Sequence, residues 1–167
     1  MALIVLLLFQ SNNIVASLFL DDETVIPQRV DAHVASLQST AGVEFVVGQC
    51  KISNKMTELI IMSGWAVCDI DVPITGDRSI EIILAADDYY YRIPTIQNRS
   101  LAGIRAMRDR LDLQTALLGF AVQFSTLTIK NGNYRIMLYV QEGSGQCGLV
   151  QTGYNINKHG NASLVKT

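Results

Sequence analysis

Few side chains in this sequence have the type and spacing that chemistry needs. Gly143-Ser144-Gly145-Gln146-Cys147-Gly148 fits the pattern Gly-x-Gly-x-x-Gly. That pattern cradles a pyrophosphate when a strand precedes it and a helix N-terminus follows. A strand-like run does precede it, but Leu149-Val150-Gln151-Thr152-Gly153-Tyr154 also reads as strand, which predicts a glycine-rich hairpin loop. Cys147 with His159 would offer a thiol and a base. His33 and His159 are the two histidines of the chain, and both fall in segments read as stalk or tail, where nothing holds a catalytic pair rigid. Asp69, Asp71 and Asp77 border one loop and could offer oxygens to calcium. Pro73 interrupts their ladder and no glutamate closes it, so aspartates accepting backbone N–H bonds in turns are the simpler reading. No Cys-x-x-Cys is present, which argues against a zinc ribbon. No metal ligand, catalytic residue or cofactor is therefore assigned.

Two groups suit binding better than catalysis. Arg99, Arg105, Arg108 and Arg110 cluster near Asp109 and Asp112. Arginine forks match phosphate or carboxylate, and the neighbouring acids also suit local pairing. Arg105, Arg108 and Arg110 are kept as candidate ligand contacts. Tyr89-Tyr90-Tyr91 sits in an alternating run, which puts Tyr90 opposite its neighbours. An exposed Tyr90 ring could stack on a sugar; sheet propensity accounts for three tyrosines equally well.

The bulk composition limits the classes. The chain has 167 residues, 49% hydrophobic and 17% charged, with a net charge of −2. That length supports one domain with a core plus an appendage. The charge gives no general pull toward nucleic acid or anionic lipid. Cys50, Cys68 and Cys147 are too few for a disulfide scaffold. Cys50 and Cys68 fall in adjacent candidate strands, and a bridge is expected only if the register brings them close.

The elements that must position these residues fall into four stretches. Residues 1–20, MALIVLLLFQSNNIVASLFL, are apolar but broken by Gln10-Ser11-Asn12-Asn13. Three readings stand: a membrane helix, a cleaved signal peptide, or a helix buried in the core. In residues 21–41, Pro27 breaks any continuing helix, and Val30, Val34 and Leu37 follow at helical spacing, predicting a stalk with a short amphipathic helix. From Gly42 the period becomes two. Val43, Phe45 and Val47 alternate; Leu59, Ile61, Trp65 and Val67 share a face; Ile80, Ile82 and Leu84, then Tyr89, Tyr91 and Ile93 follow. Phe120, Val122 and Phe124 and then Tyr134, Ile136, Leu138 and Val140 repeat the pattern, with Asn131-Gly132 as a turn signal between them. About seven strands over residues 42–157 predict a mainly β fold, an antiparallel sandwich of immunoglobulin or jelly-roll type. Leu101, Ile104, Met107 and Leu111 insert one helix within 99–118, and residues 158–167 read as a polar, flexible tail.

Several pieces in order carry a resemblance. They are Gly42-Val43-Glu44, Ser63-Gly64-Trp65-Ala66-Val67 with Asp69, Arg110-Leu111-Asp112-Leu113, Leu118-Gly119-Phe120, and Leu127 with Lys130-Asn131-Gly132-Asn133-Tyr134-Arg135. From Gly42 to about Gln141 the chain resembles a β-sandwich accessory domain appended to bacterial surface-polysaccharide glycosyltransferases. Cys68 is inserted before the acid of that domain's Gly-Trp-Ala-x-Asp element. The resemblance implies no catalytic residue. It implies that Trp65 anchors the core, that Asp69 belongs to the same element, and that Arg110 and Asp112 fix the helix-to-strand junction. It further implies a non-catalytic module on the outer, periplasmic face of a bacterial inner membrane. Such a module would serve surface-glycan assembly by binding glycan or a membrane glycosyltransferase partner. A purely structural interaction module, or the C-terminal fragment of a polytopic glycosyltransferase, is the alternative.

Overall fold

The computed structural model describes residues 24–53, 58–69, 78–106, 117–143, 145 and 147–167. The apolar run 1–20 lies outside them. Among the described residues no helix is long and apolar enough to cross a membrane.

The described chain is mainly β, with two antiparallel sheets and one short helix. The strands are β1 Gln28–Val30, β2 Gly42–Ile52, β3 Leu59–Asp69, β4 Ser79–Ala85, β5 Tyr90–Pro94, β6 Ile96–Asn98, β7 Gly119–Ser125, β8 Gly132–Gln141, β9 Cys147–His159 and β10 Asn161–Lys166, with helix α1 at Leu101–Ala106. One sheet runs β1-β5-β4-β8-β9-β10 and the other β2-β3-β7-β6.

Alternation explains the layers. Successive strand side chains point to opposite faces. Ile80, Ile82 and Leu84 of β4 and Ile136, Leu138 and Val140 of β8 point inward from the six-stranded sheet. Ile60, Met62, Ala66 and Cys68 of β3 and Phe120, Val122 and Phe124 of β7 point inward from the four-stranded sheet. Each such large side chain, taken out of water, contributes about 1.5–3 kcal/mol. The inward face of β3 is thus its even-numbered face, not the face of Trp65. Trp65 and Val67 point outward and are buried by Leu118 and by Ile104 of α1. Gly103 permits that cover, since a Cβ there would sit 3.1 Å from Trp65 Cγ and 3.3 Å from Leu118 Cβ.

Three local expectations change. Val30, Val34 and Leu37 do not lie on a helical stalk. Val30 is in β1, which pairs with β5, and Val34 opens a single 3-10 turn, Val34–Ser36. All three still face one way, because they cover Ile83, Tyr90 and Tyr139 on the outer side of the six-stranded sheet. The polar tail is not loose, since residues 161–166 form β10 and pair with β9. Asn131-Gly132 does not close a hairpin: β7 and β8 belong to different sheets, and Asn131 Oδ1 instead accepts the Gly160 N–H at 3.1 Å.

The Cys50–Cys68 bridge is also excluded. Cys50 lies opposite Met62 and Cys68 opposite Val43. Six residues of β3 separate Met62 from Cys68, roughly 20 Å at strand rise, whereas a disulfide needs Cα atoms within about 7 Å. Neither cysteine is in a disulfide.

Strand β3 passes close to its neighbours at Gly64, where a Cβ would collide with the Val46 carbonyl and sit 3.1 Å from Phe120 Cζ. At Gly48 of β2 the nearest atom would be Ser63 O at 3.7 Å, an ordinary contact. Gly64→Ala should therefore destabilise by about 1–3 kcal/mol or more through overpacking. Gly48→Ala should stay within about 0.5 kcal/mol of the parent. Urea unfolding midpoints of the two variants test the difference.

Candidate functional site

Two polar constellations stand out, one sealed and one open. The sealed one lies between the sheets. Arg78 immediately precedes β4 and Glu142 immediately follows β8, so both hang at the same end of the six-stranded sheet. Their side chains are 6% and 0% exposed, and Arg78 Nε lies 3.2 Å from Glu142 Oε1. Arg78 also donates to the carbonyl of Ala66 on β3 and, at 3.2 Å, to that of Leu117 before β7. Glu142 Oε1 accepts the Cys68 N–H at 3.3 Å, and the Cys68 thiol reaches the Val140 carbonyl at 3.6 Å. One ion pair thus joins both sheets. Burial lowers the Arg78 pKa from its ordinary value, while Glu142 and then Cys68 pull it back up. With Cys68 only 1% exposed, the cluster offers no face to a substrate.

The open constellation lies on the outer face of the six-stranded sheet, at the opposite end. Asn133 and Arg135 of β8 alternate with core residues Tyr134 and Ile136 and so point outward. Register sets Asn157 opposite Asn133, Asn155 opposite Arg135, and Ala85 opposite Arg135. Ala85 and Ala86 are short, so the longer side chains stand around a depression of about 400 Å³ lined also by Asp87 and Tyr134. Asn155 Oδ1 is buried there without a hydrogen-bond partner. A buried acceptor left unpaired costs about 1–3 kcal/mol, so a ligand that donates to it is favoured. Asp87 and Arg135 cancel in formal charge. The rest of the lining is carboxamide and alanine, plus the core tyrosine, and carboxamides both donate and accept. The groove therefore suits an uncharged ligand rich in hydroxyl or amide groups.

A tyrosine cluster supports this end of the sheet from inside. Tyr89, Tyr91 and Tyr134 meet edge to face at centroid distances of 5.8–6.3 Å. Tyr134 OH donates to the Lys130 carbonyl at 2.8 Å and lies 3.0 Å from Tyr89 OH. Burial pushes the Tyr134 phenol well above its ordinary range, and the Tyr89 hydrogen bond adds to the shift.

Those of the residues singled out from sequence that the structure describes, Tyr90, Arg105 and Trp65, lie in different places. Tyr90 is 4% exposed and packs with Ile83 and Tyr139 under residues 30–37, so it is no stacking platform. The segment read as a stalk covers it. Arg105 is exposed in the last turn of α1. Arg108, Arg110 and Asp112 lie outside the described residues, as do Asp71, Asp77 and the side chain of Asp69. Trp65 is buried, at 6% exposure, in the outer cluster beneath α1. The Gly143–Gly148 motif connects two antiparallel strands, β8 and β9, which is a hairpin and no helix N-terminus. Among the described residues no group of three metal-ligating side chains occurs. Scans against family models, curated proteins and solved structures return no match for this chain. The groove residues Asn133, Asn155 and Asn157 were overlooked in the sequence. The signal was present in outline, as polar residues alternating with the core positions Tyr134 and Ile156.

Removing one partner of a buried pair leaves a lone charge, typically at a cost of about 3–5 kcal/mol, whereas apolar replacement of both is often near neutral. Arg78→Met and Glu142→Leu should each destabilise strongly, and the double variant should recover most of the loss. A double-mutant cycle by urea unfolding measures this. Burial also pushes the Cys50 thiol up to about 12, which favours the neutral form in the fold. At pH 8.5 native Cys50 then holds on the order of a thousandfold less thiolate than in the unfolded chain. Iodoacetamide should spare the Cys50 peptide natively and label it in urea, read by mass spectrometry.

Proposed function

We propose that this chain is a non-catalytic β-sandwich module that binds a hydroxyl-rich glycan in the groove of Asn133, Arg135, Asn155 and Asn157. The single observation that carries the reading is the groove's chemistry: outward carboxamides around a depression, with a buried acceptor unpaired. Sugar hydroxyls donate and accept at close spacing, which carboxamides match on both counts. The Arg78–Glu142 pair is closed to solvent and held by contacts within the protein, with Arg78 Nε and Glu142 Oε2 left without a hydrogen bond, so in this reading it serves as scaffold and not as an acid–base pair. The resemblance to the accessory domain of surface-polysaccharide glycosyltransferases supplies the setting. There the module is anchored through residues 1–20 at a bacterial inner membrane, with the sandwich on the periplasmic face, and assists surface-glycan assembly.

A partner protein is the second reading. Among the described residues the eleven-residue strand β2 has a strand on one side only and exposes Val46, which suits strand addition by another chain. Co-purification with a membrane enzyme, together with no binding to any glycan, would favour it.

Titration calorimetry against oligosaccharides from bacterial surface glycans tests the first reading. Asn155→Ala should weaken binding by about 0.5–1.5 kcal/mol, and Arg135→Ala by up to about 3 kcal/mol if its contact is charge-assisted. Gln141→Ala, exposed at the opposite end of β8, should leave binding unchanged. Equal affinities for all three variants would remove the groove as the site.

A further inference from the structure

The groove is graded from floor to rim. Ala85, Arg135 and Asn155 stand side by side on β4, β8 and β9, since Arg135 pairs with both of the others. Ala85 is 1% exposed, and the neighbouring lining residues Ala86 and Asn157 are half-buried. Asp87, Asn133 and Arg135 are exposed and form the rim. The floor thus offers alanine methyls and one buried acceptor, Asn155 Oδ1, which has no hydrogen-bond partner among the described residues. The adjoining Arg135 guanidinium carries five N–H donors and no acceptor.

A ligand that fits must meet three conditions. It must donate to Asn155 Oδ1, cover the alanine methyls with something small and apolar, and accept from Arg135. A ring hydroxyl can donate and accept, but it leaves the methyls bare. An ammonium group donates, but it accepts nothing and is repelled by Arg135. An acetamido group meets all three conditions in one planar unit. Its amide is trans, as in a peptide, so the N–H and the carbonyl point to opposite sides. The methyl then falls on the N–H side. One group can therefore set its N–H and methyl against the floor while its carbonyl faces the rim.

We infer that the groove takes an N-acetylated sugar, with the acetamido N–H on Asn155 Oδ1, its methyl against Ala86 and Ala85, and its carbonyl toward Arg135. This rests on the glycan reading of the groove and narrows it. The ligand class is no longer any hydroxyl-rich glycan but one that carries acetamido groups. The alanines then act in specificity: they are the residues that separate an acetamido sugar from the same sugar bearing a hydroxyl.

Two tetrasaccharides with the same linkage test this. Chitotetraose carries an acetamido group on each ring, and cellotetraose carries a hydroxyl at the same position. Each is titrated into the full chain by calorimetry, with thermal unfolding confirming that every variant is folded. Burial of the methyl and a charge-assisted hydrogen bond from Arg135 should together make chitotetraose bind at least about tenfold tighter. Ala86→Leu fills the space for the methyl and should bring the two affinities within about twofold, a difference smaller than one methyl is worth. Asn155→Asp keeps an acceptor and should preserve the preference. Equal affinities of the parent chain for the two sugars, both weakened by Asn155→Ala, overturn the inference and leave the groove as a glycan site. A preference that survives Ala86→Leu overturns it as well, because the acetamido group is then read elsewhere. If neither tetrasaccharide binds while oligosaccharides from bacterial surface glycans do, the inference alone falls. If no glycan binds at all, the glycan reading falls with it.

Discussion

The buried pair of Arg78 and Glu142 is the interaction on which the arrangement of the two sheets depends. Arg78 precedes β4 and Glu142 follows β8, two neighbouring strands of one sheet. Their hydrogen bonds go to Ala66, Cys68 and Leu117 of the other sheet or its approach. Hydrophobic packing alone lets two sheets slide, because apolar contact is non-directional. A buried charge network does not slide, since each displaced contact would leave a charge or a carbonyl unsatisfied in a dry interior. The network extends through Gln97 of β6, which donates to the Arg78 carbonyl at 2.5 Å, and Thr95, which donates to the Ile80 carbonyl at 2.7 Å. Both lie where the chain crosses from one sheet to the other.

The outer faces of the two sheets are finished differently. The four-stranded sheet is covered at one end by α1 over Trp65 and Val67. The six-stranded sheet is covered in its middle by residues 30–37 over Ile83, Tyr90 and Tyr139. Beyond that cover the same sheet continues with Glu81 paired to Arg92 at 2.6 Å toward one end and with the asparagine groove toward the other. Polar side chains were retained on the uncovered parts, where they meet water or a ligand. The proposed glycan site lies toward the end at which β7 stops and β8 starts. The sealed ion pair occupies the other end.

Much of the fold was legible from residue 42 onward, because half-buried strands impose a period of two that a single sequence displays. The mainly β class, the presence of two faces and the single inserted helix follow from that period and from one change to helical spacing at Leu101. The candidate site was far less legible. Asn133, Asn155 and Asn157 are ordinary strand residues one by one, and become a site only when β8 and β9 pair in the observed register. Tyr90 was misread for the opposite reason. Alternation correctly set it against Tyr89 and Tyr91, but which face is wet depends on what covers it, and the cover comes from residues about 55 positions earlier.

The sequence by itself determined strand content, the alternation within each strand and the apolar character of residues 1–20, since these are properties of local neighbours. Only the tertiary structure decided which face of β3 is core, that β7 and β8 separate into different sheets, that Cys50 and Cys68 lie far apart, and that Arg78 meets Glu142. Each of these is a question of register or of contact between distant segments. A strand's own pattern is the same whichever partner it takes, so the partner's hydrogen bonds, and the burial they enforce, make the choice.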